Sequence, residues 1–236
     1  LMDNVSKRSI FFDIAKSTQL NKVLPLAKQI DLNEMRPEGF HQNLETGLNK
    51  INDFVSSKSG WISVLSCPIC GENSFDKWIE KCGNTIRRCK KCTHGYASRR
   101  PKIISEAYEN EKQITASFET YQEKRNYRIE RFATERVDLL KKFKNKGKLL
   151  DFGCGTGWFL EYARHHYNVT GYEPTESLAK FTSDLLKIKI ERNLTKFRND
   201  SFDIITAFDV IEHVTEPRKT FQEYFRLLKK DGILLI

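Results

Sequence analysis

The chain has 236 residues, 39% of them hydrophobic and 11% aromatic, with a formal net charge of +9. That length holds one large domain or two small ones, and that composition excludes a wholly disordered chain. No apolar run approaches the ~18 residues of a membrane span, and Leu1 to Arg8 lack the sections of a signal peptide, so a cytoplasmic protein is expected.

The positive charge is concentrated. Residues 61–150 carry 20 basic against 11 acidic residues, whereas 1–60 carry 8 against 7 and 151–236 carry 12 against 13. Such a section suits nucleic acid, a phosphorylated small molecule or an anionic surface. Lys and Arg alternating with Glu through 106–146 is equally the pattern of a solvated helix face.

In chain order, residues 1–60 read as a helical segment, a cap or lid, interrupted at Pro25 and Pro37. Residues 61–102 form a compact unit bounded by two cysteine pairs, Cys67-Pro-Ile-Cys70 and Cys89-Lys-Lys-Cys92. Two Cys-x-x-Cys turns at this separation present four thiolates, the donor set of a closed tetrahedral Zn2+ site. With no open position such a metal is structural, stabilising a segment too short for its own core. Cys82 lies between the pairs and is spare. Aromatic residues are not expected to interleave with the basic ones of this unit as a base-stacking surface requires.

Residues 103–147 read as a helical linker or lid, closed by a Lys-rich stretch and Gly147. Tyr108, Tyr121 and Tyr127 either cover a ligand or form the packing side of that helix. From 148 to 236 short apolar runs alternate with helical segments, which predicts an α/β domain with a Rossmann-like, mostly parallel sheet. The last run, Gly232 to Ile236, stands where a fifth strand belongs, so the sheet is expected to end in an exposed apolar edge.

Within that domain, Leu149-Leu-Asp-Phe152 is a strand, followed at once by Gly153-Cys-Gly-Thr-Gly157 and a helix opening at Trp158. Glycines let the backbone turn tightly and approach a ligand, and the helix directs free N–H groups into the same crevice. The spacing is Gly-x-Gly-x-Gly, unlike the Gly-x-Gly-x-x-Gly of dinucleotide sites. A second strand, Asn168 to Glu173, brings a carboxylate to its tip, where it can accept hydrogen bonds from ribose hydroxyls.

Asp151-Phe-Gly-Cys-Gly-Thr-Gly157, Gly171-Tyr-Glu-Pro174 and Phe202 to Val214 together resemble the class I S-adenosylmethionine-dependent methyltransferases, in register over 148–236. The resemblance implies S-adenosylmethionine as cofactor. Asp151, Gly153, Cys154, Gly155 and Gly157 would line its methionine part, with Glu173 and Pro174 at the ribose. Asn193 and Leu194 would lie near the adenine, where an acid is more usual, and Asp209 near the methionine. His213 is the candidate base for a hydroxyl acceptor, or else it caps the following helix. A third possibility casts Asp209, Glu212 and His213 as ligands of a divalent metal.

The cysteine unit, Arg99-Arg-Pro101 and the cofactor domain together resemble the bacterial methyltransferases of sugar and polysaccharide biosynthesis. The departure is at Thr93-His-Gly-Tyr96, where an apolar run is more usual. The leading expectation is methyl transfer to a small-molecule or glycan acceptor, a nucleotide-linked or phosphorylated sugar hydroxyl. An RNA methyltransferase and a binding protein with a degenerate cofactor fold are the alternatives.

Overall fold

The computed structural model describes residues 61–81, 84–101 and 122–236. The expected helical segment 1–60, Cys82, Tyr108 and Tyr121 lie outside these residues. Two compact units are distinct, a four-cysteine unit and an α/β unit.

In the four-cysteine unit β1 (Trp61–Ser63) pairs antiparallel with β5 (Arg99–Pro101), while β2 (Phe75–Lys81), β3 (Asn84–Cys89) and β4 (Gly95–Ala97) form an antiparallel meander. The two cysteine turns are built alike. Gly71 N–H donates to the Cys67 carbonyl at 2.9 Å, and Thr93 N–H donates to the Cys89 carbonyl at 3.0 Å. Each donor residue sits four positions after its cysteine in left-handed backbone, Gly71 at φ +75° and Thr93 at φ +61°. Glycine takes that conformation freely, whereas a β-branched threonine is strained there. The departure at Thr93 is therefore a substitution at the hinge of the second turn.

The α/β unit opens with a helix in three parts: α1 (Arg125–Arg128), a π-helical turn (Ile129–Ala133) and α2 (Thr134–Lys141). Then follow β6 (Lys148–Phe152), α3 (Trp158–Ala163), β7 (Asn168–Tyr172), α4 (Glu176–Leu186), β8 (Ile190–Glu191), β9 (Phe202–Thr206), α5 (Pro217–Leu227) and β10 (Leu228–Leu235). The strand order is β10-β9-β6-β7-β8, every pair parallel, as the alternating pattern predicts. The order reverses between β6 and β9, and such switch points are where open α/β sheets receive ligands.

The alternation of side chains along each strand fills both faces. Leu149 and Ile204 point to one side, against Ala133, Val137 and Leu140 of the first helix and Phe159, Leu160 and Ala163 of α3. Leu150 and Ile205 point to the other, against Tyr224 and Leu227 of α5. The buried helical positions 133, 137 and 140 recur at helical spacing, which is why that helix lies along the sheet. Among the described residues no helix is long and apolar enough to cross a membrane.

Candidate active site

Gly153, Gly155 and Gly157 all have left-handed backbone, at φ +76°, +52° and +73°. Their missing side chains serve different ends. A Cβ on Gly153 would stand 2.6 Å from Val210, and one on Gly157 would stand 2.4 Å from Thr182, so protein fills both spaces. A Cβ on Gly155 meets nothing among the described residues within 4 Å. Of the three glycines the sequence points to, Gly155 forms the open cradle and the other two let the loop pack.

Glu173 follows β7 directly and its side chain is only 6% exposed. Its Oε2 accepts the Gly155 N–H and its Oε1 the Thr175 N–H, both at 3.0 Å. A buried carboxylate is thus held by backbone donors beside the cradle, with acceptor capacity left on each oxygen. Loop and carboxylate come together as expected. Pro174 is exposed, and its carbonyl accepts from Arg192 at 3.5 Å.

Asp151 lies inside β6 and accepts a 2.7 Å hydrogen bond from the Thr206 hydroxyl on β9. Burial pushes its carboxyl up to about 7, with the Glu173 charge adding and the Thr206 bond and Arg136 opposing. The Cys154 side chain points into the core. It is buried in the apolar cluster beneath the sheet, its Sγ 2.8 Å from a Cβ built on Gly171, and burial raises its thiol well above the ordinary range. Its small size serves core packing rather than ligand contact.

Asn193 and Leu194 stand at a turn after β8. The Asn193 Oδ1 accepts from Thr195 N at 3.0 Å and Thr195 Oγ1 at 2.9 Å, capping the 3-10 turn Leu194–Lys196, while Leu194 packs on the second core cluster.

Beyond β9, Asp209 adopts left-handed backbone at φ +55° and its side chain is 81% exposed. Ile211–His213 form a 3-10 turn with Glu212 and His213 exposed. Among the described residues only the four cysteines gather three or more candidate metal-ligand atoms.

The first helix holds residues for which the sequence leaves open an anion-binding section or a solvated face. Arg125 is 8% exposed, pairs with Glu161 and donates to the Thr156 carbonyl in the glycine loop at 3.0 Å. Arg136 lies against Phe208, Trp158 and Phe132, with Asp209 4.0 Å away. Tyr127 packs edge-on against Phe132, consistent with the packing role. The signal was the arginine spacing 125, 128, 136, which marks one side of a helix, though the π turn alters the phase.

In the four-cysteine unit the Sγ atoms of Cys67, Cys70, Cys89 and Cys92 all lie within 4.8 Å of one another. Cys67 and Cys92 Sγ are 3.5 Å apart, as are Cys70 and Cys89. Four thiolates at ~2.3 Å from zinc stand ~3.8 Å apart, so this donor set fits a tetrahedral ion. The Cys92 and Lys91 N–H groups hold the Cys89 thiol down to about 7, against its burial. Three arginines of this unit lie against its own aromatic rings: Arg87 4.1 Å over Phe75, Arg88 5.8 Å over Trp78 and Arg99 5.3 Å over Trp61.

Residues 121–236 match the family described as "Methyltransferase domain", and this part of the chain is a class I S-adenosylmethionine-dependent methyltransferase domain. A ubiquinone biosynthesis O-methyltransferase of Actinobacillus pleuropneumoniae is 37% identical over 101 residues, 37% of this chain and 43% of that protein. Thiol S-methyltransferase TMT1B of Rattus norvegicus is 30% identical over 106 residues, 40% of this chain and 43% of that protein. A crystal structure of a methyltransferase from Archaeoglobus fulgidus is 22% identical, with a TM-score of 0.36, covering 43% of this chain and 48% of that one. The chain spans under half the length of the curated relatives it matches.

Proposed function

We propose that this chain transfers a methyl group from S-adenosylmethionine to a small-molecule or glycan acceptor, a hydroxyl of a nucleotide-linked or phosphorylated sugar. The observation that carries the cofactor is the open cradle at Gly155 beside the buried Glu173 carboxylate. Glu173 holds the ribose hydroxyls, the Gly153–Gly157 loop backbone receives the methionine part, and Asp151 and Asp209 lie toward its amino group. When bound, the cofactor supplies an electrophilic methyl carbon on a positively charged sulfur. The domain aligns the acceptor oxygen with that carbon. His213 would take the proton of the acceptor hydroxyl as that oxygen is methylated.

The four cysteines hold a structural zinc ion. An RNA acceptor is the second reading, favoured by the arginine–aromatic pairs of the four-cysteine unit, where Trp78 is 57% exposed. Methyl-labelled cofactor, incubated with the chain and a panel of phosphorylated sugars, nucleotide-linked sugars, thiols and RNA, separates these by mass spectrometry. Label on a sugar hydroxyl supports the first reading, and label on RNA alone replaces it with the second.

A further inference from the structure

Arg136 is flanked by aromatic rings from three elements at the carboxyl end of the sheet. Its guanidinium carbon lies 3.9 Å from the ring centre of Phe208, just past β9, and 4.9 Å from Trp158, the first residue of α3. Phe132, in the π-helical turn, stands at 5.9 Å. Rings on the faces of a guanidinium leave its edge, with the planar N–H fork, as the part that must find acceptors. Here the edge is poorly supplied. Nη1 is buried and has no hydrogen-bond partner among the described residues. Nη2 reaches Asp209 only at 4.0 Å, and that carboxylate is mostly in water.

The surrounding charge leaves the same deficit. Burial pushes the Arg136 pKa down and the Arg128 charge pushes the same way, while Asp209 and Asp151 oppose. Asp151 is itself held up to about 7 and is only partly ionised at neutral pH. Arg125, more deeply buried near the glycine loop, has an unpartnered Nη2 among the described residues. A cation stacked on aromatic rings, mostly buried and with donors of its edge left without acceptors among the described residues, is suited to a planar or tetrahedral oxyanion.

We infer that Arg136 is the acceptor-recognition residue of this domain, taking a phosphate or carboxylate group of the methyl acceptor through its guanidinium edge and so selecting acidic acceptors. This rests on the proposed methyltransferase function and narrows its substrate class. The cofactor's own carboxylate carries the same chemistry, and the experiment separates the two sources.

The whole chain, saturated with S-adenosylhomocysteine, is titrated with inorganic phosphate while the indole N–H of Trp158 is followed by NMR. A saturable shift in the millimolar range is expected. Arg136→Met, which keeps apolar contact with the rings, should abolish it, and Arg136→Lys should weaken it by about 5-fold or more because the planar fork is lost. Both variants should bind S-adenosylhomocysteine within about 3-fold of the unaltered chain, less than the loss expected from a charged hydrogen bond. No saturable shift in the unaltered chain overturns the inference, as does an unchanged shift in Arg136→Met. If Arg136→Met loses S-adenosylhomocysteine affinity yet binds methylthioadenosine normally, Arg136 holds the cofactor's carboxylate and the inference fails. Failure of the unaltered chain to bind S-adenosylhomocysteine instead overturns the methyltransferase reading on which it stands.

Discussion

The α/β unit and the four-cysteine unit solve the problem of stability by different means. In the first, Leu149, Leu150, Ile204 and Ile205 are fully buried, each stabilising the fold by roughly 2 kcal/mol, and helices cover both faces of the sheet. In the second, the buried apolar cluster among the described residues is Cys67, Cys89 and Tyr96, and two of those three are metal-ligand candidates. Leu65, Trp78 and Ile79 stay exposed. Apolar burial holds the first unit; the second depends on what its thiolates bind. The same side chain type is therefore placed in two ways, since Cys154 is a small core residue and Cys67 a candidate metal ligand.

Metal removal should break that comparison most sharply. Structural zinc sites carry about 10–16 kcal/mol of apparent binding free energy, so chelation should unfold the four-cysteine unit while the α/β unit keeps its amide protection. Hydrogen exchange on the chelated chain, with metal content determined before and after, checks this; a chain that holds no zinc yet keeps the unit folded contradicts it. Leu150→Ala is the reverse cut. It should cost the α/β unit about 2–5 kcal/mol in denaturant unfolding and leave zinc content unchanged.

Asp151 offers a pH-dependent version. Its folded pKa is raised to about 7, against an ordinary value near 3.9, so wild-type stability falls as pH rises from about 4 to about 7. Asp151→Asn keeps an acceptor for Thr206 and removes that cost. It should raise stability by about 2–4 kcal/mol at pH 8, with the gain vanishing below about pH 4, and should weaken cofactor binding. Thermal unfolding across pH tests the sign; a gain confined to low pH contradicts it. The smallest effect concerns the two cysteine turns. Thr93→Gly, matching Gly71, should stabilise the zinc-loaded unit by up to about 1 kcal/mol, read as slower zinc release to a competing chelator.

Much of this was legible in the sequence because it is carried by local spacing. The Cys-x-x-Cys pairs, the glycine loop and the carboxylate after β7 each sit at fixed offsets, and the structure gathers the Cys67 to Cys92 thiolates and joins Glu173 to Gly155. What stayed hidden depends on contacts distant in sequence. Nothing local says that Val210 and Thr182 fill the spaces at Gly153 and Gly157, or that Cys154 turns inward. The arginines of the first helix read as a charged face because their aromatic partners Trp158 and Phe208 lie 22 and 72 residues away from Arg136 in the chain. Arg88 over Trp78 was missed for the same reason, since strand pairing brings them together.

The account rests on one cradle, the open side of Gly155 beside Glu173. Calorimetric titration of the whole chain with S-adenosylmethionine tests it most directly, alongside Glu173→Gln, which keeps the size but removes the charge. One molecule should bind per chain, and the variant should bind at least about 10-fold more weakly, as expected for loss of a charged hydrogen bond. Absence of binding, or an affinity that Glu173→Gln leaves unchanged, would contradict it.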